Sequence, residues 1–129
     1  MTDRKLQALV VDDVPVNLKL LATLLRGHGF TVETADSAEA ARPLLATGKF
    51  GLLLLDVRLP GMDGLAFARE LRTDPAHADL IIVAVTANAM KTDREAALGA
   101  GCDAFVSKPI NTRTLVPLVT SLLARGRAS

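Results

Sequence analysis

The sequence predicts an α/β fold: a doubly wound sheet of five parallel strands with helices on both faces. Three observations predict it. Short apolar runs alternate with amphipathic stretches along the chain. Two of the runs, Gly51–Leu55 and Leu80–Val85, are apolar throughout, as strands buried on both faces are. No internal repeat or Gly/Ser linker interrupts the alternation. Right-handed crossovers leave few topologies, and the strand order 2-1-3-4-5 is the one expected.

Leu6–Val11 reads as the first strand, stopping at Asp12-Asp13. Pro15 suits the first turn of a helix, where its missing N–H costs little. Leu18, Leu21, Leu24 and Leu25 then recur at helical spacing, and Gly27 and Gly29 end the helix. Thr31–Ala35 is β-branched and alternating, a less buried strand. Ser37 is a good N-cap for a second helix carrying Ala40, Ala41, Leu44 and Leu45, although Pro43 should kink or weaken it. Gly51–Leu55 forms the third strand, ending at Asp56, and the loop VRLPGMDG leads to a helix marked by Leu65, Ala68 and Leu71. Leu80–Val85 ends at Thr86. Met90–Leu98 reads as the fourth helix, stopped by Gly99 and Gly101. Ala104–Val106 is a short last strand running into Ser107-Lys108-Pro109. Thr112–Leu123 closes the chain as a fifth helix, made less regular by Pro117.

A length of 129 residues fits one domain, 1–129, with a core at about 5–124. A net charge of +1 gives no electrostatic argument for nucleic acid or an anionic membrane. The one cysteine, Cys102, excludes an intrachain disulfide and reads as a small buried hydrophobe. Met1–Gln7 has no apolar signal core, and no apolar run approaches the ~20 residues that cross a bilayer. A cytoplasmic location is the expectation.

In such a sheet every strand points its C-terminal end at one rim, where ligands bind. Strand one brings Asp12 and Asp13 there, strand three Asp56, strand four Thr86, and Lys108 follows strand five. Singly these have plain explanations: an Asp after a strand is commonly a turn former, a lone Lys a solvated charge. Strand two ends in Asp36-Ser37, which reads as a turn and helix cap. Together the other five make a site. Three carboxylates against one ammonium leave a deficit of two charges, which a divalent cation makes up. Oxygen ligands without nearby His or Cys favour hard Mg²⁺ (or Mn²⁺), which pairs with one or two carboxylates and a phosphate oxygen. A carboxylate can be the nucleophile of phosphoryl transfer, and Asp56, on the central strand, is the best placed. Mg²⁺ would neutralise one equatorial oxygen and Lys108 another. The Thr86 hydroxyl or a backbone N–H would take the third.

Four segments carry a family resemblance: VVDD at Val10–Asp13, LLLLDVRLPGMDG at Leu52–Gly64, VAVTANAM at Val83–Met90, and GAGCDAFVSKPI at Gly99–Ile110. In this order and spacing the chain resembles the receiver domain of two-component response regulators, which shares the flavodoxin-like fold. The resemblance runs from about Lys5 to Leu123. It implies that Asp56 is the phosphoacceptor. Asp13 and Asp56 would hold the metal through carboxylates, Asp12 through a water, and Arg58 through its backbone carbonyl. Thr86 would bind the phosphoryl group and move towards it, Lys108 would pair with another phosphoryl oxygen, and the Lys108–Pro109 bond would be cis. Phe105 would be the switch aromatic, following Thr86 inward and changing the face of helix four, strand five and helix five. Its plain reading is a core residue of the last strand. Many relatives carry Tyr there; Phe lacks the hydroxyl, so packing alone would drive its rotamer. Arg58 and Asn88 occupy the positions that line the path of the hydrolytic water, or are two exposed loop side chains.

The resemblance further implies partners: a histidine kinase or histidine phosphotransfer protein upstream, docking on Val16, Pro109 and Ile110, and a downstream protein target. Nucleic acid and membrane are not expected as partners. The protein would be a monomer or a weak phosphorylation-dependent dimer. No output domain follows helix five, so a single-domain regulator is expected; VTANAMK and GCDAFVSKPI resemble the cell-division, DivK-like type. Receivers within hybrid histidine kinases, or excised from larger regulators, carry similar strings. The domain would not be an enzyme beyond assisting its own phosphorylation and dephosphorylation. An aspartyl phosphatase would want an acid/base Asp where Arg58 stands. A flavin binder would want a Ser/Thr/Gly-rich loop in place of Asp12-Asp13 and stacking aromatics, but the chain has no Trp or Tyr. A P-loop is excluded by the missing Gly-Lys-Ser/Thr.

Overall fold

The computed structural model describes residues 6–59, 62–87 and 91–126. Gln7–Val11 (β1), Thr31–Ala35 (β2), Leu52–Asp56 (β3), Ile81–Thr86 (β4) and Ala104–Ser107 (β5) pair in parallel, in the order β2-β1-β3-β4-β5. The helices are Pro15–Arg26 (α1), Ala38–Leu45 (α2), Gly64–Arg72 (α3), Lys91–Gly99 (α4) and Thr112–Arg125 (α5). The sheet is the one the sequence predicts.

Side chains alternate across it, so each strand feeds two cores. Leu9, Val11, Leu53, Leu55, Ile82 and Ala84 pack against α2, α3 and α4. Ala8, Val10, Leu52, Leu54, Ile81 and Val83 pack against α1 and α5. This is why β3 and β4 carry no polar residue until the rim: every residue of both strands is buried. Leu21, Leu25, Leu115 and Val119 are examples of the helical residues that close the second core.

Local sequence sets most boundaries. Ser37 caps α2 by accepting the Ala40 N–H, Asp63 caps α3 through the Leu65 N–H, and Asn111 caps α5 through the Arg113 N–H. Pro15 opens α1, whereas the left-handed residue behind that helix is Gly29 (φ +92°), not Gly27.

Pro43 and Pro117 lie inside α2 and α5, as the sequence reading places them, and end neither helix. Both prolines face solvent, while Ala41 and Leu45 in α2, and Leu115 and Val119 in α5, are buried. That burial offsets the lost hydrogen bond. Asp56 and Thr86 are the last residues of their strands, as the sequence reading has them; Asp56 stays in register with Val85 and Thr86 with Ser107. Two elements were not anticipated. Arg58–Leu59 pairs antiparallel with Met62–Asp63 across the loop after β3. A short 3₁₀ turn, Pro75–His77, is capped by Asp74. Cys102 is buried in the core, as expected of a small hydrophobe. No helix among the described residues is long and apolar enough to cross a membrane.

Candidate functional site

The C-terminal rim of the sheet gathers the polar residues that the strands carry. Asp12 follows β1 and is buried. Its Oδ1 accepts the Val14 N–H at 2.9 Å, so it does form the turn that a plain reading assigns it. Its Oδ2 lies 3.1 Å from Lys108 Nζ. Asp13 is exposed. Asp56, 5% exposed, ends the central strand. Its Oδ1 accepts the Arg58 N–H at 2.9 Å, and its Oδ2 accepts from Lys108 Nζ at 3.0 Å. Lys108 thus bridges Asp12 and Asp56. Its own N–H donates to the Thr86 carbonyl at 2.7 Å, which sets the lysine against the end of β4.

The electrostatics follow from that packing. Burial raises the Asp56 carboxyl above its ordinary pKa. The Arg58 N–H and the Lys108 ammonium pull it down in part, and the charge of Asp12 pushes it up again. Burial alone would lower Lys108, but its hydrogen bonds to Asp56 and Asp12 outweigh this and hold its pKa above the ordinary lysine value. Carboxylate oxygens of Asp12, Asp13 and Asp56 lie within 4.8 Å of one another. Three carboxylates and one ammonium leave two negative charges uncompensated. An all-oxygen donor set with one exposed and two buried members suits a hard divalent cation that keeps water ligands. The residues present therefore fit Mg²⁺.

Thr86 is buried at the rim end of β4. Phe105, half-buried, pairs in register with Ala84, two residues before Thr86, so the two side chains share one face of the sheet. That face is packed by α2, α3 and α4. The Lys108–Pro109 bond is cis. Arg58 is exposed. Asn88 lies outside the described residues. Of the residues expected to dock a partner, Val16 is 68% exposed and Pro109 is exposed. Ile110 is only half-buried rather than fully exposed, because it packs on the core beneath α1 and α5.

Two features escaped the reading of the sequence. One is Gly64. Its lack of a side chain matters only because the Asp56–Val57 backbone passes against it. The other is Arg72, which donates to the carbonyls of Gly101 (2.8 Å) and His77 (2.9 Å) and to Asp103 Oδ2 (2.7 Å). Asp103 Oδ2 also accepts the Ile82 N–H at 2.8 Å. No sequence period links residues 31 apart.

Known proteins resemble this chain in sequence and fold. The model of the response regulator receiver domain family matches residues 8–120. The transcriptional regulatory protein AruR of Pseudomonas aeruginosa is 40% identical over 126 residues, covering 94% of this chain and 50% of that protein. The sensor histidine kinase GacS of Pseudomonas protegens is 38% identical over 122 residues, 92% of this chain and 13% of that protein. The chain thus spans half or less of these curated relatives. A solved structure of a candidate response regulator from Chloroflexus aurantiacus superposes with a TM-score of 0.88 at 33% identity, covering 92% of this chain and 98% of that one.

Proposed function

The chain belongs to the response regulator receiver domain family, and we propose that it accepts a phosphoryl group on Asp56 from a histidine kinase or histidine phosphotransfer protein and so controls a protein partner. One observation carries the reading: a buried carboxylate at the end of the central strand, 3.0 Å from an ammonium and clustered with two more carboxylates.

An Asp56 oxygen attacks phosphorus in line. The bond from phosphorus to the donor's imidazole nitrogen breaks, and that nitrogen keeps the electron pair. Asp13 and Asp56 would hold Mg²⁺ by carboxylate, Asp12 through a water, and Arg58 by its carbonyl. When bound, the ion supplies charge neutralisation at the phosphoryl oxygens. Lys108, at present on Asp56 Oδ2, moves to a phosphoryl oxygen as the charge there develops. The Thr86 hydroxyl takes another, and Phe105, on the same face, follows it inward by packing alone. The surface of α4, β5 and α5 changes with it. Arg58, exposed beside the acceptor, tunes the access of water, as does Asn88.

The domain acts as a phosphoacceptor in the cytoplasm, a monomer or weak phosphorylation-dependent dimer, and assists only its own phosphorylation and dephosphorylation. It works as a single-domain regulator or, alternatively, as a receiver module of a hybrid histidine kinase or larger regulator; similarity to stretches of GacS and AruR is compatible with the alternative.

Incubation with acetyl phosphate and Mg²⁺ should add one phosphate, seen in the intact mass, and Asp56→Asn should abolish it. Labelling of Asp56→Asn at the wild-type level would overturn the assignment.

A further inference from the structure

We infer that Gly64 is a positioning residue for the phosphoacceptor: its missing side chain lets the first turn of α3 seat directly on the Asp56–Val57 peptide and fix the turn that orients Asp56. A Cβ at position 64 would stand 2.2 Å from the Asp56 carbonyl oxygen, 2.7 Å from Val57 Cα and 3.0 Å from Val57 C. All three are backbone atoms, so no side-chain rotation relieves the clash. Gly64 is not among the glycines with positive φ, so what it provides is room rather than a left-handed conformation.

Close approach makes a clamp. The Gly64 N–H donates to the Val57 carbonyl at 2.9 Å, and the Val57 N–H donates to the Val85 carbonyl at 3.0 Å. The residue after Asp56 is therefore held by β4 on one side and by α3 on the other. The next amide, Arg58 N–H, donates to Asp56 Oδ1 at 2.9 Å. Asp63 caps α3 through the Leu65 N–H, which starts the helix at Gly64 and brings it onto this peptide. A side chain at 64 pushes α3 off, breaks the bond to Val57, and frees the turn carrying the donor to Asp56 and the Arg58 carbonyl.

Gly101 supplies a control. A Cβ there would meet Arg72 Cγ at 2.5 Å, and its φ is +98°, so Gly101→Ala strains the fold. It precedes β5, at the opposite rim from Asp56.

The inference rests on the proposed role of Asp56, so the test separates the two. Three quantities are measured on the whole chain carrying Gly64→Ala or Gly101→Ala, at a temperature where circular dichroism shows each folded: hydrogen exchange of the Arg58 amide, Mn²⁺ affinity, and the rate of labelling by acetyl phosphate. Gly64→Ala should speed Arg58 exchange and weaken Mn²⁺ binding and labelling by roughly tenfold or more, the scale of a displaced supporting residue. Gly101→Ala should melt lower yet match wild type in all three. Wild-type values for folded Gly64→Ala, or equal losses in Gly101→Ala, would overturn the inference. If wild type itself is not labelled, the role of Asp56 fails, while Arg58 exchange and Mn²⁺ affinity still decide the role of Gly64. Should Gly64→Ala not fold, an ester in place of the Gly64 amide deletes the N–H without adding bulk. Faster Arg58 exchange and weaker Mn²⁺ binding then support the clamp, and unchanged values reject it.

Discussion

At Asp56, burial and ionisation oppose each other. Its folded-state pKa lies above the ordinary 3.8, chiefly because the carboxylate is desolvated. The folded chain therefore holds that proton more tightly than the unfolded chain. Stability rises as pH falls through the folded pKa and levels off below 3.8; above the folded pKa the ionised group is a standing cost. In metal-free buffer at neutral pH, Asp56→Asn should thus melt above wild type, with the gap closing on acidification. A gap that widens with acid, or an Asn variant that melts lower at neutral pH, would contradict this account. In the proposed reaction, a cation or a phosphoryl group at this residue would relieve the same frustration. Asp12, Asp13, Asp56, Thr86 and Lys108 were legible in the sequence because each ends or follows a strand, and parallel strands share a rim. Gly64 was not, since its role depends on a distance to a backbone that only folding brings near.

Arg72 shows how elements are tied at the far rim. Its guanidinium joins the end of α3 to the 3₁₀ turn and to the loop before β5, and its ion pair with Asp103 is 13% and 15% exposed at the two side chains. Removing it leaves Asp103 with one donor fewer in a nearly dry place. Arg72→Ala should cost about 2–3 kcal/mol in urea unfolding. The Arg42–Glu70 pair between α2 and α3 has equally good distances but side chains 41% and 45% exposed. Arg42→Ala should leave the urea midpoint near wild type, since solvent screens such pairs. Equal effects of the two substitutions would refute the distinction. On α1, Val16 and Leu20 lie one turn apart and are 68% and 46% exposed, at the end of the molecule that holds the site. Val16→Glu should slow phosphotransfer from a histidine donor at least ~10-fold, the size of one lost interface anchor, while sparing labelling by acetyl phosphate. Equal slowing of both reactions would place Val16 in the chemistry rather than in docking. Helix positions were largely legible, with α2 and α5 read through Pro43 and Pro117, but what offsets the penalty of those prolines was not. A local penalty was read, while the buried face that overrides it belongs to the packed protein.

For the whole molecule, metal and stability should be linked. An ion that binds the folded chain alone stabilises it by about 2.7 kcal/mol at a hundred times its dissociation constant. Mg²⁺ should therefore raise the melting temperature of wild type and much less that of Asp13→Asn, at matched ionic strength. Equal rises in both would move the ion elsewhere. By itself the sequence determined the fold class, the strand order and the rim on which the polar residues meet. These follow from periodicity, chirality and the alternation of strand and helix, all of which act over a few residues or through general rules. Tertiary structure alone decided that Lys108 bridges Asp12 and Asp56, that Ile110 is half-buried, that Arg72 closes on Asp103, and that Gly64 must be bare. Each of these is a contact between segments far apart in the chain, fixed by how two cores pack against one sheet, and no local pattern encodes such a distance.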